Sequence, residues 1–233
     1  MVRFPAIPKG RTAFCGYIGR VKLPIKHGDT VHMHSPGLQY LPGFLDRPAQ
    51  EVLAEELRKA IAEAPLFTPV MPRTGRLFTV RMTNLGPLGW VSDRSGYRYQ
   101  DRHPETARPW PPIPATVLAV WEQVADYPHA PEACLVNHYR EGAKMGLHRD
   151  ADEEDFTAPI VSISLGDTAV FRIGGTEHGG RTETLKLASG DVLVMGGASR
   201  LRYHGVDRIL TGTSTLLKDG GRINLTLRRV TKP

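Results

Sequence analysis

Short β-rich runs separated by glycine-containing turns dominate the second half of the chain and limit the folds that it can adopt. The runs cover residues 160–165, 169–173, 182–187, 192–195 and 222–230, and residues 133–139 read as a further strand. Many short strands with such turns are typical of a β-sandwich or jelly roll, whose two sheets need a shared interior. The sequence therefore predicts an α+β fold that is mainly β.

Two segments before these strands have helical periodicity. Residues 52–61 alternate apolar and charged side chains at helical spacing, with Asp46 available as N-cap and Pro65 beyond the end. Residues 113–127 place several valines and Trp121 on one stripe. We expect both helices to be scaffold and Trp121 to be a core residue.

Composition sets broad limits on the class of protein. The 233 residues are 40% hydrophobic, and 30 Lys+Arg against 24 Asp+Glu give a net charge of +6. This excess permits an anionic partner without demanding one. The presence of 2 cysteines favours a reducing compartment over a disulfide scaffold. Since no apolar run suits a signal peptide or a membrane span, we expect a soluble, cytoplasmic protein. We also expect it to be a monomer.

The chain divides into three predicted parts. Residues 1–35 read as an N-terminal extension without a clear period, residues 36–110 as a helix and a lid, and residues 111–233 as the jelly-roll core. The lid and the core are expected to form one structural unit. The His32-x-His34 pair in the extension has no carboxylate placed nearby, so a surface strand or loop is favoured there over a metal site.

Three residues of the core have the chemistry of a metal site. His148 and Asp150 are two positions apart, so on an extended backbone both side chains leave the same face. His204 is the best candidate for a third ligand. Two imidazoles and one carboxylate leave three octahedral positions open, the arrangement that suits Fe(II) oxygen chemistry. A His-x-Asp pair also occurs in many surface loops, so the pair alone does not distinguish the two.

The last β-rich run has two contrasting faces. Its apolar face carries Ile223, Leu225 and Leu227, and its polar face carries Arg222, Asn224, Thr226 and Arg228. The polar face could grip a small dicarboxylate, and a solvated strand face is the alternative. Since six residues of strand span about 20 Å, Arg222 and Arg228 reach one co-substrate only if their side chains converge.

Arginines and aromatic residues are interleaved in the middle of the chain. Residues 72–109 hold more arginines than acids, and Trp90, Tyr97 and Tyr99 lie among them. Arginines can hold phosphates while aromatic rings stack on unpaired bases, each stack being worth roughly 1–3 kcal/mol. A lid over a nucleic acid and a set of core aromatics with a solvated rim fit this segment equally. The glycines around Trp90 favour an irregular, mobile loop over a packed strand.

Taken together, these motifs resemble the AlkB-type Fe(II)/2-oxoglutarate dioxygenases, which remove alkyl groups from nucleic-acid bases. The resemblance runs from about residue 36 to residue 229. It is strongest in residues 137–152, 158–162, 199–205 and 222–228, in that order and at similar separations. It implies a double-stranded β-helix, Fe(II) and O2, and 2-oxoglutarate as co-substrate. It also implies release of succinate, CO2 and an aldehyde from bases of the 1-methyladenine or 3-methylcytosine type.

The resemblance also implies roles for individual residues. The iron ligands and catalytic centre would be His148, Asp150 and His204. The residues that bind 2-oxoglutarate would be Asn137, Tyr139, Arg222, Asn224 and Arg228. The residues that contact the substrate would be Met82, Trp90, Tyr97, Tyr99, Asp152 and His178. His178 stands where the family pattern has an arginine, and Met195 stands where it has a tryptophan.

Several functions remain open on the sequence. The expected substrate is alkylated single- or double-stranded DNA, or RNA. A 2-oxoglutarate oxygenase acting on RNA, a protein side chain or a small molecule is the alternative, and the arginine-rich aromatic segment favours nucleic acid. A third possibility is a non-enzymatic jelly-roll binding module, which the complete ligand set and both arginines count against.

Overall fold

The computed structural model describes residues 31–32 and 36–233. Most of the predicted N-terminal extension, including the side chains of the His32-x-His34 pair, therefore lies outside the described residues. Within them, no helix is long and apolar enough to cross a membrane.

The described residues contain thirteen strands and two α-helices. In chain order they are β1 (Val31–His32), β2 (Leu38–Leu41), α1 (Arg47–Glu63), β3 (Arg81–Leu85), β4 (Gly89–Asp93), β5 (Gly96–Gln100), α2 (Ala115–Val124), β6 (Ala133–Tyr139), β7 (Met145–His148), β8 (Ile160–Gly166), β9 (Thr168–Ile173), β10 (Glu183–Leu187), β11 (Val192–Met195), β12 (His204–Leu210) and β13 (Arg222–Arg228). A short 3-10 helix, Gly197–Ser199, precedes β12.

The strands form two facing sheets and a separate hairpin. The seven-stranded sheet has the order β1-β2-β11-β8-β13-β6-β3, and the four-stranded sheet has the order β10-β9-β12-β7. Strands β4 and β5 pair only with each other among the described residues. Every pairing is antiparallel. This architecture confirms the predicted mainly β jelly roll with supporting helices.

Two apolar clusters cover the two faces of the large sheet. On one face the sheet packs against α1 and α2, with Leu57 and Trp121 among the buried residues. On the other face it meets the four-stranded sheet through residues such as Leu135 and Phe171. Because side chains alternate along a strand, each central strand contributes to both clusters. The polar residues that alternate with the first cluster consequently face the space between the sheets.

Both helices match the sequence-based prediction. The Asp46 side chain accepts a hydrogen bond from the Ala49 amide at 3.0 Å and caps α1, with Pro48 in the first turn. Trp121 on α2 is 2% exposed and donates to the His129 carbonyl oxygen, which confirms it as a core residue.

The expectation of an irregular loop around Trp90 is wrong. Residues 89–100 form a regular two-stranded hairpin, which we call the lid hairpin. Two of its glycines are needed for the turn and the packing of this hairpin. Gly96 has φ +122° in the turn, and a Cβ on Gly89 would lie 2.5 Å from the Trp110 ring. Close packing and turn geometry require glycine at these two places.

Strand β12 and the short strand β7 were not predicted from the sequence. They pair with each other at one edge of the four-stranded sheet. Residues 36–110 supply β2 and β3 to the large sheet. The boundary between residues 110 and 111 stays a prediction.

Candidate active site

A cavity of about 610 Å³ opens between the two sheets. The lid hairpin and strands of both sheets line it. Of the residues that the sequence singled out, it brings together Met82, Trp90, Tyr97, Asn137, Tyr139, His148, Asp150, Asp152, His204, Arg222, Asn224 and Arg228. Tyr99 and His178 do not line it.

Two histidines face each other across neighbouring strands. His148 ends β7, His204 begins β12, and the two are direct partners in the register, with ring centroids 4.6 Å apart. The His148 Nδ1 lies 2.9 Å from the Gly146 carbonyl oxygen, and the His204 Nδ1 lies 3.0 Å from the Arg202 carbonyl oxygen. When Nδ1–H donates to these carbonyls, each Nε2 keeps its lone pair for a metal.

Asp150 completes the cluster although it lies beyond the end of β7. Its Oδ1 is 3.8 Å from the His148 Nε2, and its Oδ2 is 3.9 Å from the His204 Nε2. One ligand atom from each residue lies within 4.8 Å of the others, and the described residues contain no other such group of His, Cys, Asp and Glu. The three sequence-predicted ligands therefore meet in the folded chain.

The protonation states of this cluster suit a divalent cation. Burial, with His148 as a further cause, lowers the pKa of His204 to about 4, so its imidazole is neutral at pH 7. Burial is the largest single influence and opposes ionisation of Asp150, but Arg228, His204 and His148 together outweigh it and hold the pKa of Asp150 below its ordinary value. A neutral imidazole and a charged carboxylate are the forms that bind metal.

Arg222 is a buried cation without a carboxylate partner among the described residues. The residue is 1% exposed. Its Nη1 donates to the Leu187 carbonyl oxygen at 3.0 Å and its Nη2 to the Ser164 Oγ at 2.8 Å, while its Nε is buried without a partner. Burial lowers its pKa to about 10. This arrangement leaves a desolvated positive charge beside the cavity that a carboxylate would neutralise.

Arg228, at the opposite end of β13, is paired with the metal cluster. Its Nε and Nη2 donate to the Asp150 Oδ2 at 3.2 and 2.9 Å. Its Nη1 is buried without a partner in the described part of the protein. Arg228 can thus hold Asp150 and still donate to a second anion.

Three further residues lie along the same wall. Asn137 and Tyr139 alternate with the apolar residues of β6 and line the cavity, as predicted. The Asn137 Oδ1 is buried without a partner, and burial raises the pKa of Tyr139 to about 12, so its hydroxyl stays protonated. Asn224 is less available to a bound ligand, because its Nδ2 donates to the Ser162 Oγ at 2.7 Å and its Oδ1 accepts a hydrogen bond from the Thr226 hydroxyl.

The lid hairpin places an aromatic pair over the cavity. The rings of Trp90 and Tyr97 are stacked with centroids 5.5 Å apart and an interplanar angle of 19°. The Trp90 Nε1 donates to the Asp152 Oδ2 at 2.8 Å. Met82 is 1% exposed and lines the cavity from β3. Four of the predicted substrate residues therefore share one region of the cavity.

The other two predicted substrate residues lie elsewhere. Tyr99 does not line the cavity, but its hydroxyl donates to the Oε1 of Glu153, which does, at 2.5 Å. His178 is exposed in the turn between β9 and β10, and its ring forms a T-shaped contact with the ring of Tyr203. The Arg149 guanidinium carbon lies 5.7 Å from the centroid of the same Tyr203 ring. Arg149 lines the cavity, so His178 reaches its rim only through two other side chains.

The sequence did not reveal two buried charged residues next to the metal cluster. Glu153 and Arg200 form an ion pair of 3.0 Å with side chains 1% and 2% exposed. Glu153 belongs to an acidic run, residues 152–155, that resembles a solvated turn. Its burial depends on tertiary packing, and no local pattern indicates it.

The residues present fit the chemistry of Fe(II) and 2-oxoglutarate. Two imidazoles and one carboxylate are ligands that non-haem iron accepts. Arg222 and Arg228 each have a buried nitrogen without a partner among the described residues, and both line the same cavity, so each can donate to a carboxylate there.

Comparison with known proteins agrees with this geometry. Residues 37–228 match the 2OG-Fe(II) oxygenase superfamily. The Alpha-ketoglutarate-dependent dioxygenase AlkB homolog of Caulobacter vibrioides (strain NA1000 / CB15N) is 54% identical over 194 residues, covering 83% of this chain and 88% of that protein. The Alpha-ketoglutarate-dependent dioxygenase AlkB of Escherichia coli (strain K12) is 42% identical over 188 residues, covering 79% of this chain and 86% of that protein.

A solved structure gives the same result at the level of the fold. The structure of OsALKBH1 superposes with a TM-score of 0.76 at 31% identity, covering 86% of this chain and 99% of that chain. The family match and both relatives span most of the sequence, and the family match includes the residues of the metal cluster. This chain therefore belongs to the 2OG-Fe(II) oxygenase superfamily, in its AlkB-type branch, and is a dioxygenase that uses Fe(II), 2-oxoglutarate and O2.

Proposed function

We propose that this dioxygenase removes alkyl groups from the ring nitrogens of nucleic-acid bases. The expected lesions are of the 1-methyladenine and 3-methylcytosine type, in single- or double-stranded DNA or in RNA. The observation that carries the proposal is that the His148, Asp150 and His204 cluster shares one cavity with the stacked pair Trp90 and Tyr97. An oxidising centre and a stacking platform for a planar base thus lie together.

The metal-binding role falls on His148, Asp150 and His204. Each histidine directs Nδ1 at a backbone carbonyl, which orients Nε2 towards the other two ligands. Arg228 keeps the Asp150 carboxylate charged and limits its rotation through two hydrogen bonds to one oxygen. These contacts support a site that is preorganised for the metal.

The co-substrate role falls on the polar faces of β6 and β13. Arg222 has the unmatched buried charge that a distal carboxylate would neutralise, with the Tyr139 hydroxyl as a further donor. Arg228 and Asn137 would bind the end nearer the metal. Asn224 acts indirectly, because its amide holds Ser162 and Thr226 in place.

The substrate role falls on the lid hairpin and the residues below it. Trp90 presents a ring for stacking on the base, and Met82 is part of the apolar wall. Asp152 lies beside Trp90, and its negative charge would attract a cationic methylated base. Such a base pairs weakly, so it leaves a duplex more easily than an intact base does.

The residues around the centre prepare the reaction by holding charges and excluding water. When bound, Fe(II), 2-oxoglutarate and O2 supply an oxidation that converts an N-alkyl C–H bond into C–OH, with succinate and CO2 as co-products. Met82 and Phe171 line the cavity with apolar surface that excludes water. The hydroxylated carbon attached to nitrogen then leaves as an aldehyde and restores the base.

Exposed arginines favour a nucleic acid over a protein or a small molecule. Arg94 is exposed in the turn of the lid hairpin, and Arg73 and Arg76 are exposed in the segment that precedes the hairpin. Arg94 packs against Gly75, where an added Cβ would meet its guanidinium at 2.1 Å. Cations at this position can contact phosphates on either side of a base held by Trp90.

Aerobic incubation with Fe(II), 2-oxoglutarate and a 1-methyladenine oligonucleotide tests the proposal. We expect mass spectrometry to show loss of one CH2 unit from the oligonucleotide together with formation of succinate. His148→Ala should abolish both, while His129→Ala, an exposed histidine outside the cavity, should leave them unchanged. Full demethylation by His148→Ala would remove the metal cluster from the proposed mechanism.

Substrate comparison separates DNA repair from the other candidate functions. Methylated single-stranded DNA, duplex DNA, tRNA and the free methylated base should be tested at equal concentrations. Preference for an oligonucleotide over the free base supports the role of the arginines beside the lid hairpin. Turnover of the free base alone would favour a small-molecule oxygenase.

We also propose that the protein acts as a monomer in the cytoplasm. Cys134 is a buried free cysteine, which suits a reducing compartment. Size-exclusion chromatography with light scattering should give the mass of one chain, 25.7 kDa. A stable dimer would contradict the monomer.

A further inference from the structure

Glu153 is a buried acid whose neighbours come from separate parts of the active site. Its Oε1 accepts a hydrogen bond from the Tyr99 hydroxyl at 2.5 Å and lies 3.4 Å from the Arg228 Nε. Its Oε2 accepts from the Arg200 Nη2 at 3.0 Å. One carboxylate therefore joins the lid hairpin, the last strand and the segment that precedes β12.

The two arginines that contact Glu153 also hold the proposed metal ligand. Arg228 donates to the Asp150 carboxylate, and the Arg200 Nη1 donates to the Asp150 backbone carbonyl oxygen at 2.8 Å. All four residues are at most 9% exposed. Two buried cations thus face two buried anions, and Glu153 supplies half of the negative charge. Without it, Arg228 would keep Asp150 as its carboxylate partner, and Arg200 would have no carboxylate partner among the described residues.

Tyr99 connects this charged group to the lid hairpin. Strand β4 is tied to the core by Asn84, which bonds the backbone N–H and C=O of Trp90 at 3.0 Å each. Strand β5 has no strand partner other than β4 among the described residues. The Tyr99 hydroxyl therefore provides the direct polar link from β5 to the residues around Asp150.

We infer that Glu153 is a positioning residue that couples the lid hairpin to the metal centre. Through Arg228 and Arg200 it sets the position of Asp150, and through Tyr99 it sets the position of β5. Loading the metal cluster therefore stiffens the lid hairpin, because Asp150 becomes fixed and the hydrogen-bonded chain to Tyr99 becomes rigid with it. This inference rests on the proposed role of Asp150 as a metal ligand.

Hydrogen exchange with and without Mn(II) and 2-oxoglutarate tests the coupling without turnover. In the native protein, loading should slow exchange of the β5 amides by about fivefold or more, since local opening sets these rates. Tyr99→Phe removes one hydroxyl and should reduce that effect to less than about twofold. Its affinity for Mn(II), measured by calorimetry, should stay within about twofold of native, since the contacts of Asp150 are intact.

Glu153→Gln is expected to affect both Mn(II) binding at the metal cluster and the protection of β5 in the lid hairpin. Loss of this partner of Arg228 and Arg200 should weaken Mn(II) binding by about 10-fold, as is usual when a group that orients a metal ligand is changed. The loading-dependent protection of β5 should disappear as well. Glu154→Gln, at the exposed neighbouring acid, is the matched control and should behave as native.

The outcomes separate this inference from the proposed function. If the native protein binds Mn(II) and demethylates DNA, yet Tyr99→Phe keeps the full protection of β5, the coupling is refuted and the proposed function stands. Native affinity for Mn(II) in Glu153→Gln also refutes it. If Glu153→Gln does not fold, the protection of the β5 amides in Tyr99→Phe still tests the coupling. Failure of the native protein to bind Mn(II) would overturn the metal site itself and the coupling with it.

Discussion

Arg228 donates two hydrogen bonds to a single carboxylate oxygen of Asp150, from Nε at 3.2 Å and from Nη2 at 2.9 Å. The two residues are 5% and 9% exposed, so both charges are largely removed from water. The pair keeps Asp150 ionised for a metal, and it makes the folded protein depend on Arg228 even before any ligand binds.

Arg228→Met should therefore destabilise the metal-free protein. It leaves two carboxylates, Asp150 and Glu153, buried without one of their cations. Breaking a buried pair in this way costs about 3–5 kcal/mol in the free energy of unfolding. Urea denaturation at pH 7 measures the loss. Arg208→Met, which removes an exposed pair with Asp207, should cost less than about 1 kcal/mol. Equal losses in the two variants would contradict this account.

Arg222→Met should weaken binding of 2-oxoglutarate strongly and affect the stability of the ligand-free protein less. Arg222 has no carboxylate partner among the described residues, so its removal costs the ligand-free protein less stability than Arg228→Met does. Binding of 2-oxoglutarate should weaken by about 2–5 kcal/mol, because a distal carboxylate would lose its charge partner. Calorimetry with Mn(II) present measures this. Arg222→Lys should recover only part of the affinity, since an ammonium lacks the planar fork. Native affinity in Arg222→Met would exclude its role.

Trp90→Ala should weaken binding of a methylated oligonucleotide by about 1–3 kcal/mol, the contribution of one stacked base. Trp90→Phe keeps an aromatic face but loses the hydrogen bond to Asp152, so its effect should be smaller. Fluorescence anisotropy of a labelled oligonucleotide gives both values. If Trp90→Ala binds as tightly as the native protein, the ring is not the stacking platform.

Gly89→Ala should disturb the base of the lid hairpin. The added Cβ would lie 2.5 Å from the Trp110 ring, and overpacking of this kind costs about 1–3 kcal/mol in the free energy of unfolding. Gly180→Ala is a suitable control, because nothing lies within 4 Å of its Cβ position. Thermal denaturation distinguishes the two variants. A Gly89→Ala protein as stable as Gly180→Ala would mean that the packing at Trp110 relaxes freely.

The stability of the metal-free protein should fall on acidification, in part through His204. Its pKa is about 4 in the folded protein against 6.5 for the free group, so between these values the unfolded chain binds more protons. Its contribution is fully present above pH 6.5 and is lost as the pH falls to about 4, on the order of 3 kcal/mol in total. Denaturation at several pH values should show a smaller slope for His204→Gln. An unchanged slope would mean that other groups account for it.

Local periodicity was sufficient for much of the fold. The helical spacing of residues 52–61 and the two-residue alternation of β13 are properties of neighbouring residues, and both elements form as predicted. The same alternation placed Arg222 and Arg228 on the face opposite Leu225, which packs against the helices. These predictions succeeded because backbone geometry alone decides which side chains share a face.

The lid hairpin and β12 could not be predicted in this way. Glycines around Trp90 pointed to an irregular loop, yet Gly89 is required by the Trp110 ring that packs on it. Strand β12 was not recognised, although it places His204 opposite His148. Both outcomes depend on partners that lie far away in the sequence.

The amino-acid sequence by itself determined the donor set: which histidines and carboxylate, which arginines, and which aromatic residues are present, and in what order along the chain. Tertiary structure decided their connections. It paired β7 with β12, buried Glu153 in what looks like a solvated acidic run, and bonded the Tyr99 hydroxyl to that acid. The physical reason is that donor chemistry belongs to single residues, whereas burial and hydrogen-bond partners are set by long-range packing.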